Sequence, residues 1–151
     1  MNLHSYKIKE EYKTSVAYFS MEFAIDQALK TYSGGLGFLS GSHMRSAYDL
    51  GQNVIGVGML WSYGYYDQAW GEHRTLKATF LRKRYYFLED LNVEVKLDIN
   101  NYPVYVKAFL LKPETFGTAP MIFLTTDYEK NDHLACTISH KLYDVYEDTR
   151  I

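Results

Sequence analysis

The stretch TYSGGLGFLSG, Thr31 to Gly41, places Gly34, Gly35 and Gly37 at the mouth of a run with helical spacing. Without Cβ atoms such residues let a ligand or other backbone come close, and the first amides of a helix are unpaired donors at its positive end. Gly34, Gly35 and Gly37 are therefore candidates for a backbone nest that takes a phosphate or the oxygens of a sugar. A tight turn with close helix packing is the alternative, because Gly37 and Gly41 lie four apart on one face. Spacing alone leaves both readings open, and it matches neither GxxxxGK[ST] nor GxGxxG.

Other residues able to do chemistry are dispersed. Glu22 follows the first apolar run, where α/β sheets gather their sites, and could either satisfy the amides of the glycine loop or move a proton. His43 is expected on the apolar face of the helix, as a core histidine bonded to backbone. Asp127 and Asp132 flank a strand end with no His or Cys partner at ligand spacing, so helix capping suits Asp132 better than a metal does. His73, His133 and His140 are scattered and expected to be solvated. The basic, aromatic run LRKRYYF, Leu81 to Phe87, is expected to be a solvated face able to touch polysaccharide or a partner subunit. Cys136 has no second cysteine to pair with, and it reads as a small apolar residue in a helix.

The elements that must position these residues follow from periodicity. Val16–Ser20 reads as a buried strand, and Leu36–Leu50 as a helix with Leu36, Leu39, His43, Ala47 and Leu50 down its apolar face. Val54–Leu60 (VIGVGML) reads as a second buried strand, which completes a parallel βαβ unit. A tyrosine-rich loop, Trp61–Trp70, comes next. Asn92–Ile99 and Pro103–Leu111 alternate apolar and polar residues around Asn100-Asn101, the pattern of a half-exposed hairpin. Met121–Thr126 reads as one more buried strand, and Asp132–Tyr146 resumes helical spacing. The expected class is α/β with an antiparallel appendage.

Composition narrows the function classes. The 151 residues are 47% hydrophobic with a net charge of -2, which supports one cored domain and gives no electrostatic footprint for nucleic acid or anionic membrane. The opening MNLHSYKIKEEYK lacks the apolar region of a secretory signal, and no apolar run approaches a membrane span, so a cytoplasmic protein is expected. The 15 tyrosines suit sugar faces and protein interfaces, because each joins a flat apolar ring to a hydroxyl.

From Val16 to Gln68, VAYFSMEFAIDQALKTYSGGLGFLSGSHMRSAYDLGQNVIGVGMLWSYGYYDQ resembles the N-terminal stretch of the α-glucan phosphorylases, the family of glycogen and starch phosphorylase. The resemblance rests on YSGGLG.L.G, then S..DLG, GVG and YGY..Q, and it continues through PVYVKAFLL, IFLTTD and ND..A.TI...LYD. Nucleotide-sugar glycogen and starch synthases share the GGLG string but place a lysine where Tyr32 stands here. The resemblance implies phosphorolysis: inorganic phosphate attacks the terminal α-1,4 bond of a glucan and releases glucose 1-phosphate, with the phosphate group of pyridoxal phosphate as proton donor and acceptor. It implies a two-domain GT-B, Rossmann-like fold with Gly34, Gly35, Leu36 and Gly37 facing cofactor phosphate, substrate phosphate or glucosyl unit. Members often carry an acidic residue at Ser42, and muscle-type members a tyrosine at Ala24.

The same resemblance places the cofactor lysine and the phosphate-gripping lysines and arginines in a C-terminal domain beyond Ile151. Residues 1–151 thus read as a partial N-terminal domain, inactive alone, whose partners are the missing C-terminal domain, α-glucan and inorganic phosphate. Doubly wound sheets bury both faces, so uncovered apolar surface and homo-oligomers are expected. The competing reading is a non-catalytic carbohydrate-binding or oligomerisation module that uses the Trp61–Trp70 loop as its surface.

Overall fold

The computed structural model describes residues 3–143. Its frame is a mixed five-stranded sheet in the order β1-β2-β7-β6-β5. Strand β1 (Val16–Phe19) leads through the glycine loop into α1 (Gly35–Leu50) and then into β2 (Val54–Met59), which pairs parallel to β1. The parallel βαβ unit is therefore present. Helix α1 stops at Gly51, whose φ of 66° lets its amide fold back on Ala47 and Tyr48 carbonyls.

A two-stranded ribbon, β3 (Asp67–Trp70) and β4 (Leu76–Thr79), stands apart from the sheet. Next come β5 (Glu89–Ile99) and β6 (Tyr102–Leu111), joined by Asn100 and Asn101 at φ 53° and 64°, the conformation a two-residue hairpin needs. A single turn of helix, α2 (Pro113–Phe116), leads to β7 (Met121–Thr125), which pairs parallel to β2 and antiparallel to β6. The short helix α3 (His133–Thr137) follows. Among the described residues no helix is long and apolar enough to cross a membrane.

The core lies between α1, the segment after β1 and the sheet, and it is built from Phe23, Ile25, Leu29, Met44, Ala47, Leu111, Ala119, Met121 and Phe123. The GVG of β2 exists to admit it. A Cβ on Gly56 would lie 2.8 Å from Met44 Sδ, and one on Gly58 2.8 Å from the Phe23 ring. Both glycines face the same side of the strand, as residues two apart must.

Five expectations need correction. Helix α1 buries Gly37, Ser40, Gly41, Met44 and Ala47, while Leu36 and Leu39 remain 47% and 54% exposed and His43 is exposed too. The small residues decide this, because they let the chain after β1 approach to backbone contact, which leucines would prevent. Strand β1 is an edge strand with Phe19 73% exposed, since no described residue pairs with its outer side. The hairpin is no appendage, as β6 continues the main sheet through β7. The Trp61–Trp70 loop contains β3, paired with residues 76–79. Finally, α3 covers only His133–Thr137; Ser139 turns inward to accept from Thr126 N at 3.0 Å, and residues 144–146 lie outside the described residues.

The contacts of Gly41 generate a stability prediction. A Cβ there would sit 2.1 Å from Ala24 O, whereas one on Gly35 meets nothing within 4 Å. In urea unfolding, Gly41→Ala is expected to cost about 1–3 kcal/mol or more despite alanine's better helix propensity. Gly35→Ala should change stability by less than about 0.5 kcal/mol.

Candidate functional site at the mouth of helix α1

Helix α1 begins without a side-chain cap and without an acidic residue in its first turn. The negative charge that its positive end favours comes instead from Glu22, just past β1. Glu22 is 2% exposed, and its Oε2 accepts from the amides of Ser33 at 2.9 Å and Gly34 at 3.1 Å. Its Oε1 accepts from Ser33 Oγ at 3.2 Å and from Tyr143 Oη at 2.5 Å. Burial pushes the Glu22 pKa up, but the hydrogen bonds from Ser33, Tyr143 and Gly34 outweigh it and hold the carboxyl below its ordinary 4.5. Glu22 thus satisfies loop amides, one of the two roles open to it.

The four glycines divide into two kinds. Gly37 and Gly41 are packing residues: a Cβ on Gly37 would meet Tyr32 Cβ at 2.6 Å and Glu22 Oε2 at 3.1 Å, and the Gly37 carbonyl accepts from Ala24 N at 2.9 Å. Gly34 and Gly35 border open space. The first hydrogen bond of the helix runs from Phe38 N to Gly34 O, and among the described residues the amides of Gly35, Leu36 and Gly37 have no acceptor. Of the proposed nest, the Gly34 amide is engaged by Glu22 and the other three remain as donors.

Beside this mouth lies a cleft of about 160 Å³ whose wall includes Lys30, Tyr32, Ser33, Tyr63, Tyr65 and Tyr66. The Tyr65 and Tyr66 rings lie 4.4 Å apart between centroids with their planes tilted by 51°, and Tyr65 meets Tyr143 edge-on at 6.1 Å. The tyrosines of the YGYY string are thereby brought next to the glycine loop.

A second, larger cleft of about 360 Å³ opens at the carboxyl ends of β2 and β7. The basic run lines it, and it is not a purely solvated face. Arg82 Nη2 donates to both Asp127 oxygens at 2.7 Å, Ser62 Oγ donates to Asp127 at 2.8 Å, and Lys83 pairs with Asp67. Burial raises the Asp127 pKa, and these bonds more than reverse it. Asp132 caps α3 as expected, accepting from Ala135 N at 2.9 Å. His73 and His133 are exposed, but His140 is half-buried against Tyr63, and burial lowers its pKa, so solvation is the wrong description for it. Cys136 lies in α3, with Sγ 3.6 Å from Tyr128 O.

No protein-family model matches this chain. Individual relatives do. A glycogen phosphorylase of Mycobacterium tuberculosis is 33% identical over 91% of the chain, and a maltodextrin phosphorylase of Thermococcus litoralis is 30% identical over 93%. The chain is a homologue of the α-glucan phosphorylases. An uncharacterized protein of Methanocaldococcus jannaschii is also similar, at 56% identity over 128 residues or 85% of the chain. The chain spans 25% of that protein, and 17% and 18% of the two phosphorylases. Alignments over 91% and 93% of the chain take in the glycine loop and Glu22.

Sequence reasoning picked out Glu22 from its place between strand and glycine loop. It missed Tyr143, which lies 121 positions away and has no local signature. A pH prediction follows from this cluster. The folded pKa of Glu22 is depressed, so its stabilisation is complete above about pH 4.5 and is lost as pH falls through the folded value. Below that range the Ser33 and Gly34 amide resonances are expected to shift and to exchange faster. Glu22→Gln should abolish the titration and cost about 1–3 kcal/mol.

Proposed function

We propose that this chain forms the N-terminal part of an α-1,4-glucan phosphorylase and supplies the glycine-loop wall of its active-site cleft. One observation carries the reading: at the positive end of a 16-residue helix, the Gly35, Leu36 and Gly37 amides have no acceptor among the described residues, and the space above Gly34 and Gly35 is open. Phosphate oxygens suit such donors. In phosphorolysis a phosphate oxygen bonds to the anomeric carbon, the glycosidic C–O bond breaks, and the departing 4-hydroxyl takes a proton. The loop's share would be to hold phosphate charge in place, with the tyrosine-lined cleft beside it for the glucosyl unit.

Pyridoxal phosphate belongs to the same reading. The three free amides fit its phosphate group as well as they fit inorganic phosphate, and when bound that group would act as proton donor and acceptor. The lysine that anchors the cofactor, the rest of the phosphate grip and the second half of a GT-B cleft would come from polypeptide outside these 151 residues. The β1-α1-β2 unit and β7 would be one wall of that cleft.

Two measurements test this. Titration with inorganic phosphate should move the Gly35, Leu36 and Gly37 amide resonances with millimolar affinity; unmoved resonances would remove the loop from the function. Mixed with maltooligosaccharide, phosphate and pyridoxal phosphate, the chain alone should yield no glucose 1-phosphate, and yield above background would refute the division of labour proposed. Tight maltooligosaccharide binding without any phosphate response would favour a non-catalytic carbohydrate-binding module.

A further inference from the structure

We propose that the larger cleft, between the carboxyl ends of β2 and β7 and the 81–88 segment, is a carbohydrate subsite separate from the mouth of α1. Its volume of about 360 Å³ lies within the roughly 300–1,000 Å³ usual for small-molecule sites. Its position, beyond the carboxyl ends of parallel strands, is where α/β sheets collect ligands.

The lining argues for a neutral, polyhydroxylated ring rather than an anion. Three cations face the cleft, yet Arg82 is paired with Asp127 and Lys83 with Asp67. Among the described residues only Arg84 of the three has no ion pair, so there is little net charge to draw a phosphate. A fixed Arg–Asp pair offers something else, a rigid set of donors and acceptors at one place. Arg82 uses only Nη2 on Asp127 and keeps other N–H groups available. Asp127 is held from two sides, by Ser62 and Arg82, so its remaining lone-pair directions are set in advance. Sugar hydroxyls, each donor and acceptor at once, match such a pair.

Aromatic surface completes the site. Trp61, 6% exposed and with its Nε1 donating to Met21 O at 2.9 Å, lies in the wall together with Phe109 and Tyr85. Tyr86 stands at the rim 93% exposed, a flat ring with its faces unused and ready to lie on a pyranose face. Naming the ring a glucosyl unit of an α-glucan rests on the phosphorylase reading; the chemistry of the cleft asks only for a neutral sugar.

The test uses maltoheptaose, glucose 1-phosphate and inorganic phosphate as probes, followed by the Trp61 indole and the glycine-loop amide resonances. Maltoheptaose is expected to shift the Trp61 indole. Tyr86→Ala, a change at an exposed ring that should not disturb folding, is expected to weaken that binding about five- to tenfold. Arg84→Ala should leave it within about twofold. The proposal is overturned if maltoheptaose leaves Trp61 unmoved, if Tyr86→Ala binds as well as the parent, or if inorganic phosphate binds here and is lost in Arg84→Ala. Phosphate shifts confined to Gly35, Leu36 and Gly37 would sustain the function proposed above while the subsite failed. A Trp61 shift with silent loop amides would sustain the subsite alone.

Discussion

Glu22 is the point at which three distant parts of the chain are tied to one charge. Its carboxylate ends the chain's run out of β1, caps the loop that starts α1, and receives Tyr143 from the far end of the described residues. Both oxygens are used and the group is buried, so it must stay ionised for the donors around it to be satisfied. The consequence reaches the helix. With the Ser33 and Gly34 amides held by Glu22, the loop is tied down beside Gly34 and Gly35, which border open space.

That arrangement explains why glycine is needed at four places for two different reasons. Gly37 and Gly41 carry the contact between α1 and the chain at Ala24, which is a backbone contact and would be pushed apart by a side chain. That contact in turn brings Glu22 within reach of the loop. Gly34 and Gly35 face outward, where a side chain would shade the donors without clashing with protein. Close packing accounts for Gly37 and Gly41, whereas no packing contact constrains Gly34 and Gly35.

How much of this was legible depends on the range of the forces involved. The βαβ unit, the hairpin about Asn100-Asn101 and the Asp132 cap were readable because periodicity, turn dihedrals and capping are local. The face of α1 was misread by following the leucines. Its packing side is chosen by the small residues Gly37, Ser40 and Gly41, which only matter once Ala24 and Ser20 are across from them. Strand β3 lacks alternation and forms only because residues 76–79 pair with it. The Tyr143–Glu22 and Arg82–Asp127 contacts join distant residues with no local signature, so they were invisible one residue at a time.

The two clefts share a wall, and that bears on how they could work together. Lys83 lines both, its amide donating to Ser62 O while its ammonium pairs with Asp67. Ser62 in turn holds Asp127 in the larger cleft, while Asp67 lines the smaller one and opens β3. A ligand that pulled on Asp127 would load this same chain of hydrogen bonds and ion pairs, whose far end lies beside Ser33 and the glycine loop. Both members of the Lys83–Asp67 pair along it are largely buried. On the two proposals above, any coupling between the larger cleft and the mouth of α1 would run through Lys83, the residue that lines both clefts.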